Sequence, residues 1–472
     1  MNEMRKRLSV REMFSLAGID VDCDAPFPSH VASDSRDIRE GGAFVALEGE
    51  RTDGHHYIGQ AIERGAALIV ARKGKVPNPL SVPCVELAEP EADLGELASR
   101  YIEYAKPDEI VAVTGSVGKT TTREAIRRVL EGHFPLHAAE RSFNTVIGCS
   151  ATALAMPLGT KILLMEFGAN SVGEIGRLTR LFPPTRALVT QVSAVHLAGF
   201  GSLEGVLREK MKITESPRLK TFIYDGDGSL LRNALSTLPT NVQALGVGRE
   251  KGQYLMKEPM FDMKSGLPAL CFELERDDEV FRFQAGVWGE KLALPVAMAA
   301  VVGEVLGLSP EKCAAELSSF SGLKGRGRVV HISQGSSSCE RFVVDDAYNA
   351  NPVSMRSSLE TFLSLKMEGE KWAVLGDMRE LGDGEVQYHK ELTPLVEGLD
   401  RVVFVGHDWK EALQGIENVK WNFVDRWQGA AEILEQSSRW KALLVKGSNS
   451  LCLEDLVARV TAVDHSQSLK GR

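Results

Sequence analysis

The sequence predicts an α/β protein of three domains, in which a central P-loop-type parallel sheet has flanking helices and the C-terminal domain is Rossmann-like. Short apolar strands alternate with helical segments over two long stretches, as in parallel sheets that carry helices on both faces. A glycine-rich turn connects the first strand of the middle stretch directly to a helical segment. At 472 residues, the chain is also too long for a single hydrophobic core.

Polar segments separate the predicted domains. Residues 1–106 form the first, in which AFVALEGERTDGHHYIGQAIERGAALIV has the pattern strand, polar loop, helix, strand, and which ends near AKPDE. Residues 107–321 form the second, and residues 322–472, entered through the glycine-rich stretch SGLKGRGR, form the third. The strands predicted in the second domain are IVAVT (110–114), KILLME (161–166), ALVTQVS (187–193) and FIYD (222–225).

Four apolar runs of the third predicted domain each end in a glycine or a polar residue. The segments that contain these runs and the residues after them are FVVDDA, WAVLGD, RVVFVG and ALLVKGS. Ligands of parallel sheets lie at the carboxyl ends of the strands. We therefore expect Asp346, Asp377, Gly406 and Lys446 to share one edge of this sheet.

Composition and charge exclude several classes of protein. The net charge is −9 and no basic block is long enough to follow a nucleic-acid backbone, so we expect no nucleic-acid partner. The seven cysteines form no C-x-x-C pair, which argues against zinc and disulfides and fits a reducing compartment. The start of the chain does not have the pattern of a signal peptide, and the longest apolar run, Leu292 to Gly303, is too short to span a membrane. We expect a cytoplasmic protein without membrane insertion, and a monomer because no pattern indicates an obligate oligomer.

The strongest local motif lies between the strand IVAVT and a helical pattern that follows from Thr122. The motif consists of Thr114, Gly115, Ser116, Val117, Gly118, Lys119, Thr120 and Thr121. Glycines let backbone N–H groups surround a phosphate, and the N-terminus of the following helix favours the same anion. Lys119 would contact the outer phosphates of ATP, and the Thr120 hydroxyl would bind Mg²⁺. The loop is a shortened variant, since Val113 stands where the general motif has its first glycine, and by itself it does not distinguish a switch ATPase, a kinase and a ligase.

Charged residues near other strand ends are further candidates. Glu166 ends a buried strand, where its carboxylate would either meet the loop-bound Mg²⁺ or face solvent. His196 follows the next strand and is either a site residue or structural. Lys210 lies in a charge-rich helix, a pattern typical of a solvated face. Asp345 and Asp346, two carboxylates at one strand end, suit metal or ribose contacts.

Several segments together resemble the Mur ligases over nearly the whole chain. The first part carries SDSRDIREGGAFVALEGERTDGHHYIGQAIERGA, and the middle carries VTGSVGKTTT, SFNTVIG, LLMEFGANSVGEIGRL and VSAVHLAGFGSLEGVLREK. The last part carries DDAYNANPVSM, VLGDMRELG and VKGS. The order EFGAN, HLAGFGS, DDAYNANP is highly specific for this family.

The resemblance implies an ATP-dependent ligase that forms an amide bond through an acyl phosphate. The three domains would hold the UDP-sugar-peptide, ATP and the incoming amine, in that order. DDAYNANP and GDMRELG favour the reaction that joins D-alanyl-D-alanine to UDP-N-acetylmuramoyl-tripeptide, a cytoplasmic step of peptidoglycan precursor synthesis.

The resemblance also implies roles for single residues. Catalytic positions would be Lys119, His196 and Lys210. Ligands of a second Mg²⁺ would be Glu166, His196 and Lys210, the last as a carbamate. Positions matched to the uridine nucleotide are Ser35, Arg36, Asp53, Gly54 and His55, and Asn144 matches the muramoyl-peptide loop. Positions matched to ATP contacts of the third domain are Arg328 (or Arg326), Asp346 and Asn349, and those matched to the amine substrate are Lys446 and Ser448.

The chain departs from the family pattern at some positions, and three alternatives stay open. Lys291, Leu292 and Pro295 stand where the family usually has polar residues near the adenine, and Asn449 stands where an arginine is frequent. A Mur ligase that adds the third amino acid is the nearest alternative. A folate or polyglutamate-type ligase is a second, although the domain before the P-loop argues against it. A P-loop ATPase or switch without ligase activity is the third, and it would have no need of Lys210.

Overall fold

The computed structural model describes residues 7–49, 52–76, 79–139, 143–193, 197–264, 266–332, 341–379, 381, 384–437 and 439–467. It divides into two compact units, residues 1–255 and 256–472. The fold is α/β, as predicted, with parallel strands at its centre in both units. The boundaries 1–106, 107–321 and 322–472 stay a prediction. Within the described residues, no helix is both long and apolar enough to cross a membrane.

The first unit begins with a small parallel sheet whose strands are almost entirely buried. Residues 90–105 then form a long helix that ends at Lys106, whose φ of 51° is left-handed, so the chain turns at the predicted AKPDE linker. The strands are β1 (Val31–Ala32), β2 (Ala43–Val45), β3 (Leu68–Arg72) and β4 (Cys84–Leu87), and the helices are α1 (Val10–Ser15), α2 (Ile58–Glu63) and α3 (Pro90–Ala105).

Seven parallel strands follow, in the spatial order β6-β7-β5-β8-β9-β10-β11. Their apolar residues are buried on both faces, as expected for a sheet covered by helices on either side. The strands are β5 (Glu109–Thr114), β6 (Leu136–Ala138), β7 (Ile162–Glu166), β8 (Arg186–Val189), β9 (Thr221–Asp225), β10 (Gln243–Gly248) and β11 (Tyr254–Met256). The helices are α4 (Lys119–Leu130), α5 (Val146–Leu154), α6 (Glu174–Leu181), α7 (Leu197–Phe200), α8 (Leu203–Met211) and α9 (Ser229–Ala234).

The second unit starts with three antiparallel strands that the sequence analysis did not predict. Phe272 and Phe283 stack across two of these strands with ring centroids 5.5 Å apart. The strands are β12 (Met260–Lys264), β13 (Leu267–Arg276) and β14 (Glu279–Ala285), and they are followed by α10 (Ala293–Val305) and α11 (Pro310–Ser318).

A six-stranded sheet completes the second unit, in the order β15-β16-β20-β17-β18-β19. Only β15, at one edge, runs antiparallel to its neighbour. Apolar clusters cover both faces of the sheet, with residues such as Phe342 and Leu375 on one face and Val343 and Val374 on the other. The strands are β15 (Arg328–Ile332), β16 (Arg341–Asp346), β17 (Glu370–Gly376), β18 (Arg401–Val405), β19 (Trp421–Val424) and β20 (Trp440–Lys446). The helices are α12 (Pro352–Ser364), α13 (Glu385–Lys390), α14 (Thr393–Glu397), α15 (Asp408–Ala412), α16 (Trp427–Glu435) and α17 (Leu453–Gln467).

Two predicted boundaries were wrong, and both lie at the glycine-rich loop. Helix α4 begins at Lys119 rather than Thr122, because Gly118, with a φ of 84°, starts the helix immediately after the glycine turn. Strand β8 ends at Val189 rather than continuing to residue 193. The residues after it leave the sheet because they hydrogen-bond to the loop, for example from Ser116 N–H to the carbonyl oxygen of Gln191 at 2.7 Å.

Candidate active site

The loop between β5 and α4 is fixed by its neighbours in a conformation that two glycines permit. Gly115 and Gly118 have φ angles of 146° and 84°, which disfavour other residues. A Cβ atom on Gly115 would also collide with the hydroxyl oxygen of Thr190. Thr114, fully buried, donates its hydroxyl hydrogen to the carbonyl oxygen of Phe167 at 2.8 Å, and the Ser116 hydroxyl donates to Ser193 at 3.1 Å. These contacts and the two glycine conformations hold the loop against the ends of β7 and β8.

Lys119 lies at the start of α4 and turns back over this loop. Its ammonium donates to the carbonyl oxygens of Gly115 and Ser116 at 2.8 and 3.2 Å. Together with the N-terminus of the twelve-residue helix α4, this cation creates a site for an anion. Of the remaining loop residues, Val117 is 54% exposed and Thr121 is buried.

A buried carboxylate, Glu166, lies beside the loop at the end of β7. Its Oε1 accepts hydrogen bonds from the Thr120 hydroxyl and from Asn144 Nδ2, each at 3.2 Å. Its Oε2 accepts no hydrogen bond among the described residues and lies 3.5 Å from Nη1 of Arg123. A buried carboxylate oxygen with spare acceptor capacity, next to a hydroxyl, fits the hard oxygen ligands that Mg²⁺ prefers. The solvent-facing alternative for Glu166 is wrong, since the residue is 1% exposed.

Arg123 is a component of this cluster that the sequence analysis missed. It is 1% exposed, and its Nη2 donates to Glu124 Oε1 at 2.6 Å. Because residues three apart share a helix face, its position three residues after Thr120 was the available signal. The positive charge of Arg123 offsets the negative charge of the Glu166 carboxylate. An unpaired carboxylate would be costly in this buried environment.

Lys210 is buried in α8, and the prediction of a solvated face from its charge-rich helix was wrong. It is 2% exposed, and its ammonium lies 5.6 Å from the ring centroid of Phe200. Burial, followed by the nearby positive charge of Lys119, lowers the pKa of Lys210 to about 8. The neighbouring Glu209 is also buried and attaches the helix to the start of α6, because it accepts hydrogen bonds from the N–H groups of Gly173 and Ile175 at 2.8 and 2.6 Å. His196, predicted beside Lys210, lies outside the described residues.

A cavity of about 500 Å³ in the first sheet contains three of the positions matched to the uridine nucleotide. Ser35, Arg36 and Gly54 line it. The Ser35 hydroxyl donates to Gln60 Oε1 at 2.6 Å, while the Arg36 side chain is 78% exposed and pairs with Asp34 at 2.6 Å. Arg36 can therefore reach a ligand at the rim of this cavity.

Asp53 and His55 shape the turn that carries Gly54 and do not line the cavity. Asp53 accepts hydrogen bonds from the backbone N–H and from Nδ1 of His55, at 3.0 and 2.5 Å, and these bonds lower the pKa of Asp53 to about 2. The backbone N–H of Arg72 donates to Nε2 of His55 at 3.0 Å, so the proton of the neutral ring is on Nδ1. Both ring nitrogens of this buried histidine are thus occupied within the protein.

In the second unit, charged residues meet where the parallel strands of the six-stranded sheet end. Asp346 and Lys446 are register partners on β16 and β20, and the Lys446 ammonium donates to Asp346 Oδ2 at 2.7 Å and to the Asn349 carbonyl at 3.1 Å. Arg328 of β15 donates to the buried Asp345 at 3.0 Å. This arrangement confirms the predicted sharing of one sheet edge by Asp346 and Lys446, and it adds Asn349 and Arg328 to the same region.

Asp377 ties three strand ends of this edge together. It is fully buried; Oδ2 accepts from the N–H of His407 at 2.8 Å and Oδ1 from the N–H of Trp409 at 3.2 Å. Its carbonyl oxygen accepts from Ser448 N–H at 3.1 Å. A Cβ atom on Gly406 would collide with this carboxylate, which explains the glycine at the end of β18. The expected proximity of Asp377 and Gly406 is confirmed.

Arg379 is a second residue at this edge that the sequence analysis did not single out. Its guanidinium bridges Asp377 and Asp408, with both N–O distances at 3.1 Å. Burial and the charge of Asp377 raise the pKa of Asp408. The Arg379 guanidinium therefore offsets the two carboxylates and holds the loop after β18.

Three profiles of one protein family match the chain in sequence order. They are the Mur ligase family, catalytic domain, at residues 29–104, the Mur ligase middle domain at residues 113–303, and the Mur ligase, glutamate ligase domain, at residues 325–449. A curated relative, the UDP-N-acetylmuramoyl-tripeptide–D-alanyl-D-alanine ligase of Bacillus subtilis, is 32% identical over 436 residues, which cover 90% of this chain and 92% of that protein.

Solved structures that are named MurF have folds similar to that of this chain. A MurF structure from Acinetobacter baumannii superimposes with a TM-score of 0.81 at 25% identity, covering 97% of this chain and 99% of that one. MurF ligase from Thermotoga maritima in complex with ADP gives a TM-score of 0.70 at 26% identity, covering 93% of this chain and 98% of that one.

Proposed function

Because the chain belongs to the Mur ligase family, we propose that it is an ATP-dependent ligase that joins D-alanyl-D-alanine to UDP-N-acetylmuramoyl-tripeptide. This reaction forms an amide bond in the synthesis of peptidoglycan precursors. The observation that carries the proposal is the phosphate loop after β5, with Lys119 above it and the buried Glu166 beside it. The length over which the chain matches its relatives supports the same activity.

In the first step, the free carboxylate of the tripeptide attacks the γ-phosphorus of ATP. The bond from this phosphorus to the bridging oxygen breaks, ADP leaves, and an acyl phosphate forms. Catalysis of such a transfer depends mostly on positioning and charge neutralisation. Lys119 and the N-terminus of α4 would supply positioning and positive charge for the phosphate chain, since both lie at the glycine-rich loop.

In the second step, the amine of D-alanyl-D-alanine attacks the carbonyl carbon of the acyl phosphate. The amine nitrogen loses a proton, the carbon–oxygen bond to phosphate breaks, and inorganic phosphate leaves with an oxygen of the former carboxylate. Phosphorylation is needed because a carboxylate alone is a poor acyl donor. Exclusion of water from the buried cluster at Glu166 would protect the intermediate from hydrolysis.

We assign Thr120 as a ligand of the Mg²⁺ at the phosphate loop, and Glu166, His196 and a carbamate of Lys210 as ligands of a second Mg²⁺. The metal would neutralise charge on the transferred phosphoryl group. A bare ammonium would repel the metal, whereas a carbamate offers anionic oxygen. Carbamate formation needs a neutral amine, and the burial of Lys210 favours that form.

The remaining residues are assigned to contacts with the individual substrates. Ser35, Arg36 and Gly54 would contact the uridine nucleotide, while Asp53 and His55 hold the turn that presents Gly54. Asn144 would meet the muramoyl-peptide beside Glu166. Assigned to ATP contacts are Arg328, Asp346 and Asn349, and to the amine substrate Lys446 and Ser448.

We further propose that the protein acts as a monomer in the cytoplasm. The monomeric state is supported by the buried hydrophobic core in each unit. The cytoplasmic location is supported by the need for ATP and a nucleotide-linked precursor.

A phosphate-release assay with the full chain, ATP and Mg²⁺ tests the proposal. UDP-muramoyl-tripeptide, with lysine or diaminopimelate at its third position, is supplied with and without D-alanyl-D-alanine. We expect product only with both substrates, and ¹⁸O from a labelled tripeptide carboxylate should appear in the released phosphate. ATP consumption that does not depend on the nucleotide-sugar peptide would contradict ligase activity. Turnover with a dipeptide acceptor and single amino acids would instead identify the ligase that adds the third residue.

A further inference from the structure

Thr190 is a buried residue beside the phosphate loop to which the proposed function assigns no role. It directly follows β8, is 2% exposed, and its backbone N–H donates to the carbonyl oxygen of Thr114 at 3.0 Å. Its hydroxyl donates to the carbonyl oxygen of Val117 at 2.5 Å, while the carbonyl oxygen of Thr114 lies farther away, at 3.3 Å. A side chain at the end of one strand is thus bonded to the backbone of the loop that follows another strand.

The loop backbone is closely fitted to the residues that follow β8. The Val117 side chain is 54% exposed, so its carbonyl oxygen rather than its side chain fixes this residue. Gly115 leaves room for the Thr190 hydroxyl, since a Cβ atom at this position would collide with it. Between them, Ser116 donates its N–H to the carbonyl oxygen of Gln191 at 2.7 Å. Three successive loop residues therefore contact two successive residues after β8.

The bond to Thr190 sets the direction of the peptide group between Val117 and Gly118. In a planar trans peptide, the C=O and N–H groups point to opposite sides. Because the carbonyl oxygen faces Thr190, the Gly118 N–H points away from Thr190. This N–H donates to no group among the described residues, and it immediately precedes Lys119, the first residue of α4. It is therefore available to a phosphate oxygen at the start of this helix.

The glycine that the turn requires also makes this peptide group easy to reverse. Gly118 has a φ of 84°, and glycine adopts positive and negative φ angles about equally readily. Reversal of the peptide plane would change mainly the ψ angle of Val117 and the φ angle of Gly118. The reversed peptide would present a carbonyl oxygen to the phosphate in place of a donor, and the two would repel each other. The hydrogen bond from Thr190 favours the orientation that presents the donor.

We propose that Thr190 is a positioning residue for ATP, because its hydroxyl keeps the Gly118 N–H directed at the phosphate chain. The inference rests on the proposed function, which supplies ATP as the ligand. Thr190 acts through the loop backbone and does not itself contact the nucleotide. A hydrogen bond to a charged group contributes about 10-fold or more to an equilibrium constant. Loss of the hydroxyl should therefore weaken nucleotide binding and leave the contacts of the other substrates unchanged.

Two variants that differ by one oxygen atom isolate the effect of the hydroxyl. Thr190→Ser and Thr190→Ala both lose the methyl group, and only T190S keeps the donor. Calorimetric titration of the full chain with ADP and Mg²⁺ measures affinity, and steady-state kinetics give the KM of each substrate. We expect T190A to bind ADP about 10-fold more weakly and to raise the KM for ATP by a similar factor. The KM values for UDP-muramoyl-tripeptide and D-alanyl-D-alanine should stay unchanged, and T190S should remain close to wild type throughout.

Thr185→Ala is the matched control, because Thr185 is a second buried threonine at the opposite end of β8. It is 1% exposed, and its hydroxyl donates to the carbonyl oxygen of Ile110 in β5 at 3.1 Å. We expect T185A to lower Tm without changing the affinity for ADP. Equal weakening of ADP in T185A and T190A would reflect general destabilisation and contradict a positioning role of Thr190.

The remaining outcomes separate this inference from the proposed function. Equal losses of ADP affinity in T190S and T190A, or wild-type affinity in a folded T190A, would overturn the inference while the function stands. If the wild-type chain binds neither ADP nor ATP, the proposed function itself fails. Should T190A not fold, Thr190→Val, which keeps the shape of threonine without a donor, takes its place with the same expected loss. If neither variant folds while T190S does, the hydroxyl serves the fold as a whole and the inference is wrong.

Discussion

The phosphate-loop region of the first unit and the charged edge of the six-stranded sheet differ in how their cations are compensated. Lys119 donates to backbone carbonyl groups, and its charge adds to burial in lowering the pKa of Lys210 to about 8. At the other edge, Lys446 pairs with Asp346 at 2.7 Å and Arg328 with Asp345 at 3.0 Å. In the first region, the lysine lies over a loop that the sequence predicts to bind phosphate. In the second region, a ligand that binds Lys446 or Arg328 must displace the carboxylate that already pairs with that cation.

The difference predicts how each region responds when one charged residue is removed. A loop whose lysine donates to backbone carbonyl groups can turn that charge to a phosphate, and we expect it to lose most of its activity when the lysine is removed. The edge of the six-stranded sheet keeps its geometry through its ion pairs. Removal of one charged residue there should therefore first affect the stability of the protein and the positioning of the substrate. Four predictions examine this contrast, in order of decreasing effect.

Lys119→Ala should have the largest effect, a loss of about 10³-fold in kcat, because no other residue of the loop places a cation above it. Kinetics of phosphate release and product formation measure this loss. Lys212→Ala, which removes a half-buried lysine paired with Glu215 at 2.7 Å, is the control and should stay within 2-fold of wild type. A modest loss in K119A would mean that the loop does not act through its lysine charge.

Lys210→Ala should lower kcat by about 10²-fold, because the proposed carbamate would be lost from the buried position. Short carboxylic acids should restore part of the activity, and Lys210→Arg should remain inactive since a guanidinium forms no carbamate. Because the neutral amine is the reactive form, carbamate detected with ¹³C-bicarbonate should increase as the pH rises through about 8. Unchanged turnover in K210A would remove this residue from the site.

Asp377→Asn should have a smaller effect, a rise of roughly 10-fold in KM for D-alanyl-D-alanine with little change in ADP affinity. The amide keeps the shape but offers a donor where His407 N–H and Arg379 now donate. The free energy of unfolding should fall by about 1–3 kcal/mol. Asp408→Asn is the matched control, since it removes the other partner of Arg379 and leaves the backbone bonds to Asp377 intact. Equal KM values for the two variants would argue against a positioning role of Asp377.

Asp53→Asn should have the smallest effect, visible as a change in acid stability. The pKa of Asp53 is lowered from 3.8 to about 2, so the folded state is stabilised when the carboxylate is ionised. This contribution is present above pH 4 and disappears as the pH falls through about 2. The difference in Tm between wild type and variant should therefore be constant from pH 7 to 5 and close between pH 4 and 2. A difference that persists at pH 2 would show that the hydrogen bonds matter and the charge does not.

Much of the fold could be predicted because its signals are local. The buried strands IVAVT, KILLME and FIYD, and the four runs of the last sheet, appear within a residue or two of their predicted positions. The antiparallel strands β12 to β14 were not predicted, because their pairing joins residues that are separated by turns and carry mixed polar and apolar side chains. Strand β8 was predicted too long, since hydrogen bonds to a distant loop compete with the sheet.

By itself, the sequence determined the α/β class, the phosphate loop and the strand-end positions of Glu166, Asp346 and Lys446. Periodicity and glycine spacing encode these features over a few residues. Tertiary structure alone decided that Lys210 is buried, that Arg123 lies against Glu166 and that Asp377 joins three strand ends. The physical reason is that burial and charge pairing depend on residues far apart in the chain. A charged residue in a helix has the same local pattern whether water or another segment covers it.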